Sequence, residues 1–311
     1  MGSPPASPGS VADAPKGNWV DSFAPDWLKP YARLARWDRP IGFWLLFWPC
    51  AFSLALATLK TPALGFDWRA MLLCLAGAVA MRGAGCTFND IVDADLDAKV
   101  ARTRLRPIPS GQVSKRRALV FLVLQALAGL AVLLQFNLLT VGLGVGSLAL
   151  VAIYPFMKRV TWWPQLFLGL AFSWGALIGW SAETAAISLP PLLVYLGSIL
   201  WVIGYDTIYA LQDVEDDALI GVKSTARLFG AQVKPAVGIF YALAIMCWLA
   251  ACLLLGGGAA IGVALVAPAA ILAWQVMTLA PAAQGNALVR FKANHWVGLA
   301  LTLAILIEAY L

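Results

Sequence analysis

About twenty consecutive apolar residues suffice to carry an α-helix across the hydrocarbon core of a bilayer. Nine such stretches can be cut from this chain, at 41–59, 70–90, 118–135, 138–157, 163–182, 190–212, 235–255, 259–279 and 296–311. Inside hydrocarbon the backbone must satisfy its own N–H and C=O groups, which leaves helices as the natural form for runs of this length. Gly256-Gly257-Gly258, Pro190-Pro191 and Asn137 mark tight connections between them. With 61% hydrophobic and 12% charged residues and a mean hydropathy of +0.80, a soluble domain is excluded. The expected fold class is an all-α integral membrane protein, nine transmembrane helices in a single bundle.

Lys and Arg set the orientation. Only Lys60 and Arg69 fall on one face; the other 20 of the 22 lie before the first span, in the loops of the opposite face or, for Arg82, in the second span toward that face. By the positive-inside tendency the N-terminus is cytoplasmic and the C-terminus outside, as nine spans require. The expected location is a bacterial inner (plasma) membrane. The net charge of +6 is therefore an orientation signal, and no nucleic-acid partner is expected. Residues 1–28, rich in Pro, Gly, Ser and Ala, read as a disordered tail, and 29–311 as the transmembrane domain. Within the latter, 29–40 reads as a basic, aromatic helix lying along the headgroups. The five cysteines sit in or beside apolar runs without metal-ligand spacing and read as packing residues. The 14 tryptophans read as interface anchors, and His295, the single histidine, as an interfacial residue preceding the last span.

Two acidic clusters interrupt this pattern, and together they hold nine of the 16 acidic residues. The first, Asn89-Asp90-x-x-Asp93-x-Asp95-x-Asp97, closes the second span. At about 100° per residue, Asn89, Asp93, Asp97 and Asp90 share one face about 100° wide, while Asp95 points away. The second, Asp206 to Asp217, closes the sixth span and repeats the Asp-x-x-x-Asp spacing at Asp213 and Asp217. On a straight helix Asp206, Asp213 and Asp217 share a stripe that Glu215 leaves. Both clusters fall at the cytoplasmic ends of their spans and both are followed by basic loops, so the halves read as a parallel internal duplication. Arg102, Arg104 and Arg106, closely spaced like charges, suggest a lid that closes over an anionic ligand.

Paired carboxylate sets suit a hard divalent cation, and Mg²⁺ prefers one or two carboxylates plus substrate phosphate oxygens. Nearby Lys and Arg would complete a diphosphate site. Such a site neutralises a departing diphosphate, so that an allylic C–O bond breaks, and the membrane offers an apolar chamber for an isoprenoid tail. A cation-coupled transporter would place its carboxylates near the bilayer midplane among broken helices, whereas these lie at span ends among basic loops. The Asp-Gly-x-x-Ala-Arg signature of CDP-alcohol phosphotransferases is missing.

Asn89-Asp-x-x-Asp93-x-x-x-Asp97, Arg102-Thr-Arg-x-Arg106-Pro-x-Pro-Ser-Gly111 and Tyr205-Asp206-x-x-Tyr209-Ala-x-x-Asp213-x-x-x-Asp217 resemble the UbiA family of intramembrane aromatic prenyltransferases. The resemblance runs from about residue 30 to the end. Arg36-Trp-Asp-Arg39-Pro-Ile-Gly, Tyr154-Pro-Phe-Met-Lys158-Arg159 and Gly221-Val-Lys-Ser-Thr-Ala-Arg-Leu-Phe-Gly230 are similar to its branch acting on 4-hydroxybenzoate in ubiquinone biosynthesis. The resemblance implies Mg²⁺ as cofactor, polyprenyl diphosphate and 4-hydroxybenzoate as substrates, membrane lipid as surroundings and no obligate protein partner. It implies metal and diphosphate roles for Asn89, Asp93, Asp97, Asp213 and Asp217, with Asp90 beside them among the catalytic residues. Arg102, Lys158, Arg159, Tyr209 and Lys223 would bind substrate, Arg39 would hold the acceptor carboxylate, and Tyr154 or Asp206 would orient or activate its phenol. Homogentisate, dihydroxynaphthoate and haem stand as alternative acceptors for the same chemistry.

Overall fold

The computed structural model describes residues 17–99, 103–219, 221–283 and 285–311. Among them every regular element is helical. In chain order these are α1 (Trp19–Phe23), α2 (Lys29–Leu34), α3 (Ile41–Lys60), α4 (Trp68–Asp97), α5 (Lys115–Leu133), α6 (Leu138–Val160), α7 (Pro164–Ser173) and α8 (Gly175–Thr184). They continue as α9 (Leu189–Ala210), α10 (Val214–Leu219), α11 (Thr225–Phe229), α12 (Val233–Leu253), α13 (Ala259–Ala264), α14 (Val266–Thr278) and α15 (Asn286–Tyr310). Nine helical stretches of the described chain are long and apolar enough to cross a membrane, with α7–α8, α9–α10, α11–α12 and α13–α14 each forming one stretch. In the spans of α5 and α6 only 17% and 11% of the most apolar window is buried, leaving Leu, Val and Ile side chains outward as a lipid-facing surface requires.

Two spans outrun their apolar runs. Helix α4 continues through the whole acidic cluster to Asp97, and α15 begins at Asn286, ten residues before the expected start at 296. Hydropathy ends a span where polar residues begin, but helical hydrogen bonding continues wherever those residues find partners. His295 therefore lies inside α15, its ring against Trp44, Trp48 and Trp296, and does not precede the span. Several tryptophans are also core rather than interface: Trp48, Trp180, Trp201 and Trp248 are buried.

The chain divides into two compact units, Met1–Phe43 with Ala76–Val132, and Trp44–Leu75 with Leu133–Leu311. In the first, the expected tail boundary at residue 28 is too late. Helix α1 is capped by Asn18, whose side chain accepts from the Asp21 amide, and buries Val20 beside Ala24, Ala32 and Trp37. Asp21 pairs with Arg33 at 2.8 Å. Burial opposes the Asp21 charge, but the bonds from Arg33 and Asn18 outweigh it and hold the carboxyl below its ordinary range. Composition misses this element because only one of its five side chains is buried. Residues 1–16 lie outside the described part.

Helix α2 is only six residues long and is buried on the side of Ala32, Arg33 and Leu34, so 29–40 is not a helix along the headgroups. It stops at Arg36, whose φ of 60° is the left-handed conformation normally left to glycine. Arg36 N–H bonds Arg33 O and Trp37 N–H bonds Ala32 O, the paired bonds of a Schellman termination. Leu34 then packs with Ala94 of α4, Ile108, Val113 and Ala118 of α5. Ile108 and Val113 thus bury the far half of the loop expected as a lid, which leaves 103–113 docked.

In the second unit α9 is the central helix, packed against α12 and α7. Gly204 lets it approach closely, since a Cβ there would sit 2.3 Å from the Tyr241 ring. Phe52, Trp201 and Trp248 form an aromatic knot with centroids 5.7–5.9 Å apart. Below the basic loops, Trp201 Nε1 donates to Asn294 Oδ1 at 2.7 Å, Asn294 and Gln275 exchange amide bonds, and the Tyr241 hydroxyl donates to Gln275 at 2.9 Å. Four helices, α9, α12, α14 and α15, are tied by this buried network, which is how α15 tolerates Asn294 inside a membrane span.

Candidate active site

The first acidic cluster lies on one α-helical face, as its spacing requires. Asp90, Asp93 and Asp97 are 0%, 1% and 7% exposed, Asn89 is half-buried, and Asp95 points outward to Lys115 at 3.1 Å. Buried carboxylates need counter-charges, and Arg36 and Arg106 supply them to Asp90 and Asp97. Arg36 Nη2 donates to Asp90 Oδ1 at 2.6 Å while its Nη1 donates to the carbonyls of Arg33 and Leu34. Arg106 Nη1 donates to Asp97 Oδ2 at 2.8 Å and reaches Asp90 Oδ1 at 3.5 Å. Burial works against the Arg36 charge, but Asp90, helped by Asp38, raises its pKa and keeps it protonated. The second oxygen of Asp90, Oδ2, is buried without a hydrogen-bond partner.

The left-handed Arg36 explains this grip. Its backbone turn ends α2 and its side chain both caps that helix and reaches α4. Arg39, expected to hold an acceptor carboxylate, is buried and donates from Nε to Asp38 at 3.3 Å. Burial, set against the nearby Arg36 and Arg33, pushes the Asp38 carboxyl up to about 6. Arg102 lies outside the described residues.

The second cluster does not continue a straight helix. A 3₁₀ turn at Leu211–Asp213 separates α9 from α10. Each 3₁₀ residue advances about 120° instead of about 100°, so the stripe drawn for a straight helix is rotated by roughly 60° across the turn. Asp206, Asp213 and Asp217 are half-buried, while Glu215 and Asp216 face outward. Tyr209 lies against Phe291 at 4.5 Å. Helix α10 ends at Gly221, φ 74°, where Val222 N–H bonds Asp217 O at 2.9 Å.

The loop that follows is bound back onto the end of α6. Lys223 N–H donates to Lys158 O at 2.9 Å and its Nζ to Val160 O at 3.2 Å. Arg227 donates to the carbonyls of Asp217 and Val222 and covers the Trp162 ring. Thr207 and Thr225 share a 2.6 Å hydroxyl bond, fastening α11 to α9. Lys158, Lys223 and Asp217 are thereby brought into one region, with half-buried Tyr154 one helical turn before Lys158 and Arg159 exposed beyond it. Sequence reasoning did not place Arg36 or Arg227 among the site residues, and it expected Arg106 in a lid over an anionic ligand rather than on Asp97 and Asp90. Arg106 and Arg227 follow Asp97 and Asp217 by nine and ten residues, whereas Arg36 stands 54 residues from Asp90 and has no such local signal.

Carboxylate and amide oxygens are the donors a hard divalent ion takes. Among the described residues no three Asp, Glu, His or Cys side chains are gathered into a cage. Mg²⁺ takes few protein ligands and fills its shell from substrate phosphate and water. In the first unit Asn89, Asp93 and Asp97 on α4 carry carboxylate or amide oxygens, and in the second Asp213 and Asp217 around the 3₁₀ turn.

Residues 46–298 match the model of the UbiA prenyltransferase family. A protein of Arabidopsis thaliana named 4-hydroxybenzoate polyprenyltransferase, mitochondrial, is 44% identical over 91% of this chain and 69% of its own length. Its namesake from Drosophila melanogaster is 48% identical over 91% and 72%, and that from Bos taurus 44% over 93% and 77%. The apo structure of a UbiA homolog from Aeropyrum pernix K1 superposes with a TM-score of 0.70 at 27% identity, covering 85% of this chain and 97% of its own. A UbiA homolog from Archaeoglobus fulgidus bound to GPP and Mg²⁺ shares the fold, with a TM-score of 0.61 at 17% identity over 89% and 99%. The expected bacterial inner membrane is overturned by these relatives, which are eukaryotic and named mitochondrial. Counting Lys and Arg separates the two faces of a membrane and says nothing of which membrane it is. Family model, relatives and fold agree, and the chain belongs to the UbiA prenyltransferase family.

Proposed function

We propose that this chain transfers a polyprenyl group from polyprenyl diphosphate to the ring of 4-hydroxybenzoate, ortho to the hydroxyl, in ubiquinone biosynthesis. The observation that carries the reading is 44–48% identity, over about nine-tenths of the chain, to proteins named for that reaction. The buried acids at the end of α4, the half-buried acids around the 3₁₀ turn and the basic residues bound beside each are the donor types a metal–diphosphate would use. Asn89, Asp93, Asp97, Asp213 and Asp217 serve the metal; Lys158, Arg159, Lys223 and Arg102 serve the diphosphate. Mg²⁺ held by those residues would neutralise charge on the departing diphosphate. The allylic C–O bond breaks, the ring carbon attacks the cation, and loss of the ring proton restores aromaticity. Asp206 or Tyr154 orients the phenol, Tyr209 lines the approach, and Arg39 grips the carboxylate with the fork geometry of a guanidinium. Asp90, locked to Arg36, positions the α4 motif.

Purified protein with Mg²⁺ and a labelled polyprenyl diphosphate should release diphosphate and form prenylated 4-hydroxybenzoate, read by mass. Product on homogentisate or dihydroxynaphthoate but not on 4-hydroxybenzoate would move the acceptor. Absence of product on every acceptor would end the reading.

A further inference from the structure

The second unit carries a groove that prenyl transfer does not use. It runs between α12 and α14, two neighbouring spans, and small residues from both helices line it, Gly238 and Ala242 on one and Ala273 on the other. Small residues commonly let membrane helices close up. Here they leave an apolar space of about 460 Å³, within the size range of small-molecule sites. Buried Tyr241 forms its floor, and exposed Met246 and Met277 its rim toward lipid. The Tyr241 hydroxyl is already taken by Gln275 at 2.9 Å, so the groove accepts hydrocarbon and offers little to a polar guest.

One end of this groove is basic. Lys234, at the start of α12, donates from Nζ to Met277 O at 3.3 Å, and Arg290, at the start of α15, donates from Nε to the Thr278 hydroxyl at 3.3 Å. The two cations thus meet adjacent residues at the end of α14. Arg290 also lies over the Trp274 ring at 5.0 Å and donates from Nη1 to Asn286 O. All of these partners are neutral, and residues 218–307 hold five Lys and Arg but no Asp or Glu. The end of a helix offers about half a negative charge to such cations, which leaves most of two positive charges unbalanced.

We propose that the α12–α14 groove holds an anionic phospholipid, with an acyl chain along the groove and the phosphodiester between Lys234 and Arg290. Basic pockets between membrane helices suit anionic headgroups, and Trp274 marks the headgroup level. A polyprenyl diphosphate also joins an anion to hydrocarbon, but its diphosphate draws a divalent ion, for which this stretch supplies no carboxylate. A phosphodiester carries one charge and needs no metal. Phe291, next to Arg290, packs on Tyr209 at 4.5 Å, so a lipid held by Arg290 steadies the start of α15 beside the second acidic motif.

Native mass spectrometry of the purified full chain, with phosphatidylglycerol and phosphatidylcholine of identical acyl chains, tests this without a variant. Phosphatidylglycerol should bind at least about ten-fold tighter, and equal affinity would overturn the proposal. Phosphatidylglycerol with a diazirine on its acyl chain locates the site: cross-links should map to Ala242, Met246, Ala273 or Met277, and labelling confined to other helices would equally overturn it. Lys234→Gln combined with Arg290→Gln should erase the preference and leave phosphatidylcholine binding unchanged, whereas Ala273→Phe, which fills the groove, should weaken both lipids. The full preference retained in a folded double variant would reject the headgroup contacts and with them the proposal. Displacement of bound phosphatidylglycerol by an equimolar polyprenyl diphosphate would give the groove to the isoprenoid instead.

Discussion

The two acidic motifs share a spacing and differ in almost everything that governs how a carboxylate behaves. The first rides an unbroken helix, is buried, and is bound to two arginines through their side chains. The second straddles a 3₁₀ turn and is half-exposed, and Arg227 beside it donates to the backbone carbonyls of Asp217 and Val222. A buried, pre-neutralised motif holds its geometry before ligand arrives, whereas a wetter one interrupted by a 3₁₀ turn is the natural place for adjustment. Equal spacing in sequence therefore does not mean equal mechanics.

The largest effect expected from this difference is on stability. Arg36→Leu leaves Asp90 charged and buried without its main partner, so unfolding should become easier by about 3–5 kcal/mol, while Arg227→Leu at the second motif should cost clearly less. Chemical denaturation of the two variants in detergent measures both, and equal losses would erase the contrast.

Asp38 tests how over-charged the first region is. Its carboxyl is raised from the usual 3.8 to about 6 by burial, so the folded state holds the proton more tightly. That contribution is fully present below about pH 4, declines as pH rises, and is gone above about pH 6, with a ceiling of about 3 kcal/mol. Asp38→Asn should therefore gain stability relative to the parent as pH rises from 4 to 7. A pH-independent gap would place the titration elsewhere.

Turnover should depend on both motifs alike despite their mechanics. Asp93→Asn and Asp213→Asn are each expected to lower prenyl transfer at least about 10²-fold, roughly 2.7 kcal/mol in barrier, and outward-facing Asp95→Asn and Glu215→Gln to change it little. Initial rates at saturating Mg²⁺ decide this, and a large loss in only one of Asp93→Asn and Asp213→Asn would make the motifs unequal in chemistry too. The smallest effect belongs to Gly221→Ala, which forces a Cβ into a left-handed residue at the end of α10. A cost of about 1–2 kcal/mol is expected, read as a lowered Tm. No change would mean that this end of the second motif relaxes freely.

Much of the site was legible as residue types at helical spacing. Asp90, Asp93 and Asp97 share a face and Asp95 leaves it because α4 is regular, and periodicity reports regular helices faithfully. The same arithmetic did not foresee the 3₁₀ turn in the second motif, since nothing local in Leu211-Gln-Asp213 announces three residues of tighter winding, although Asp206, Asp213 and Asp217 are the half-buried acids and Glu215 the outward one. Trp201 and Trp248 were misread as interface anchors for a related reason: composition locates tryptophan near a span end but cannot distinguish a neighbour helix from lipid.

By itself the sequence determined that this chain crosses a membrane in nine helices, that its acids gather at two helix ends, and that its motifs are those of the UbiA prenyltransferase family. Those properties follow from chain-local quantities, namely apolar length, spacing and motif. Only the tertiary structure decided that Arg36 takes a glycine's conformation to reach Asp90, that Arg106 spans Asp97 and Asp90, and that Val20, Ile108 and Val113 anchor segments that look loose. Each of these depends on residues separated in sequence meeting in space, nine positions for Arg106 and Asp97 and 54 for Arg36 and Asp90, and the energy of a buried charge or a buried methyl group depends on that meeting rather than on its neighbours along the chain.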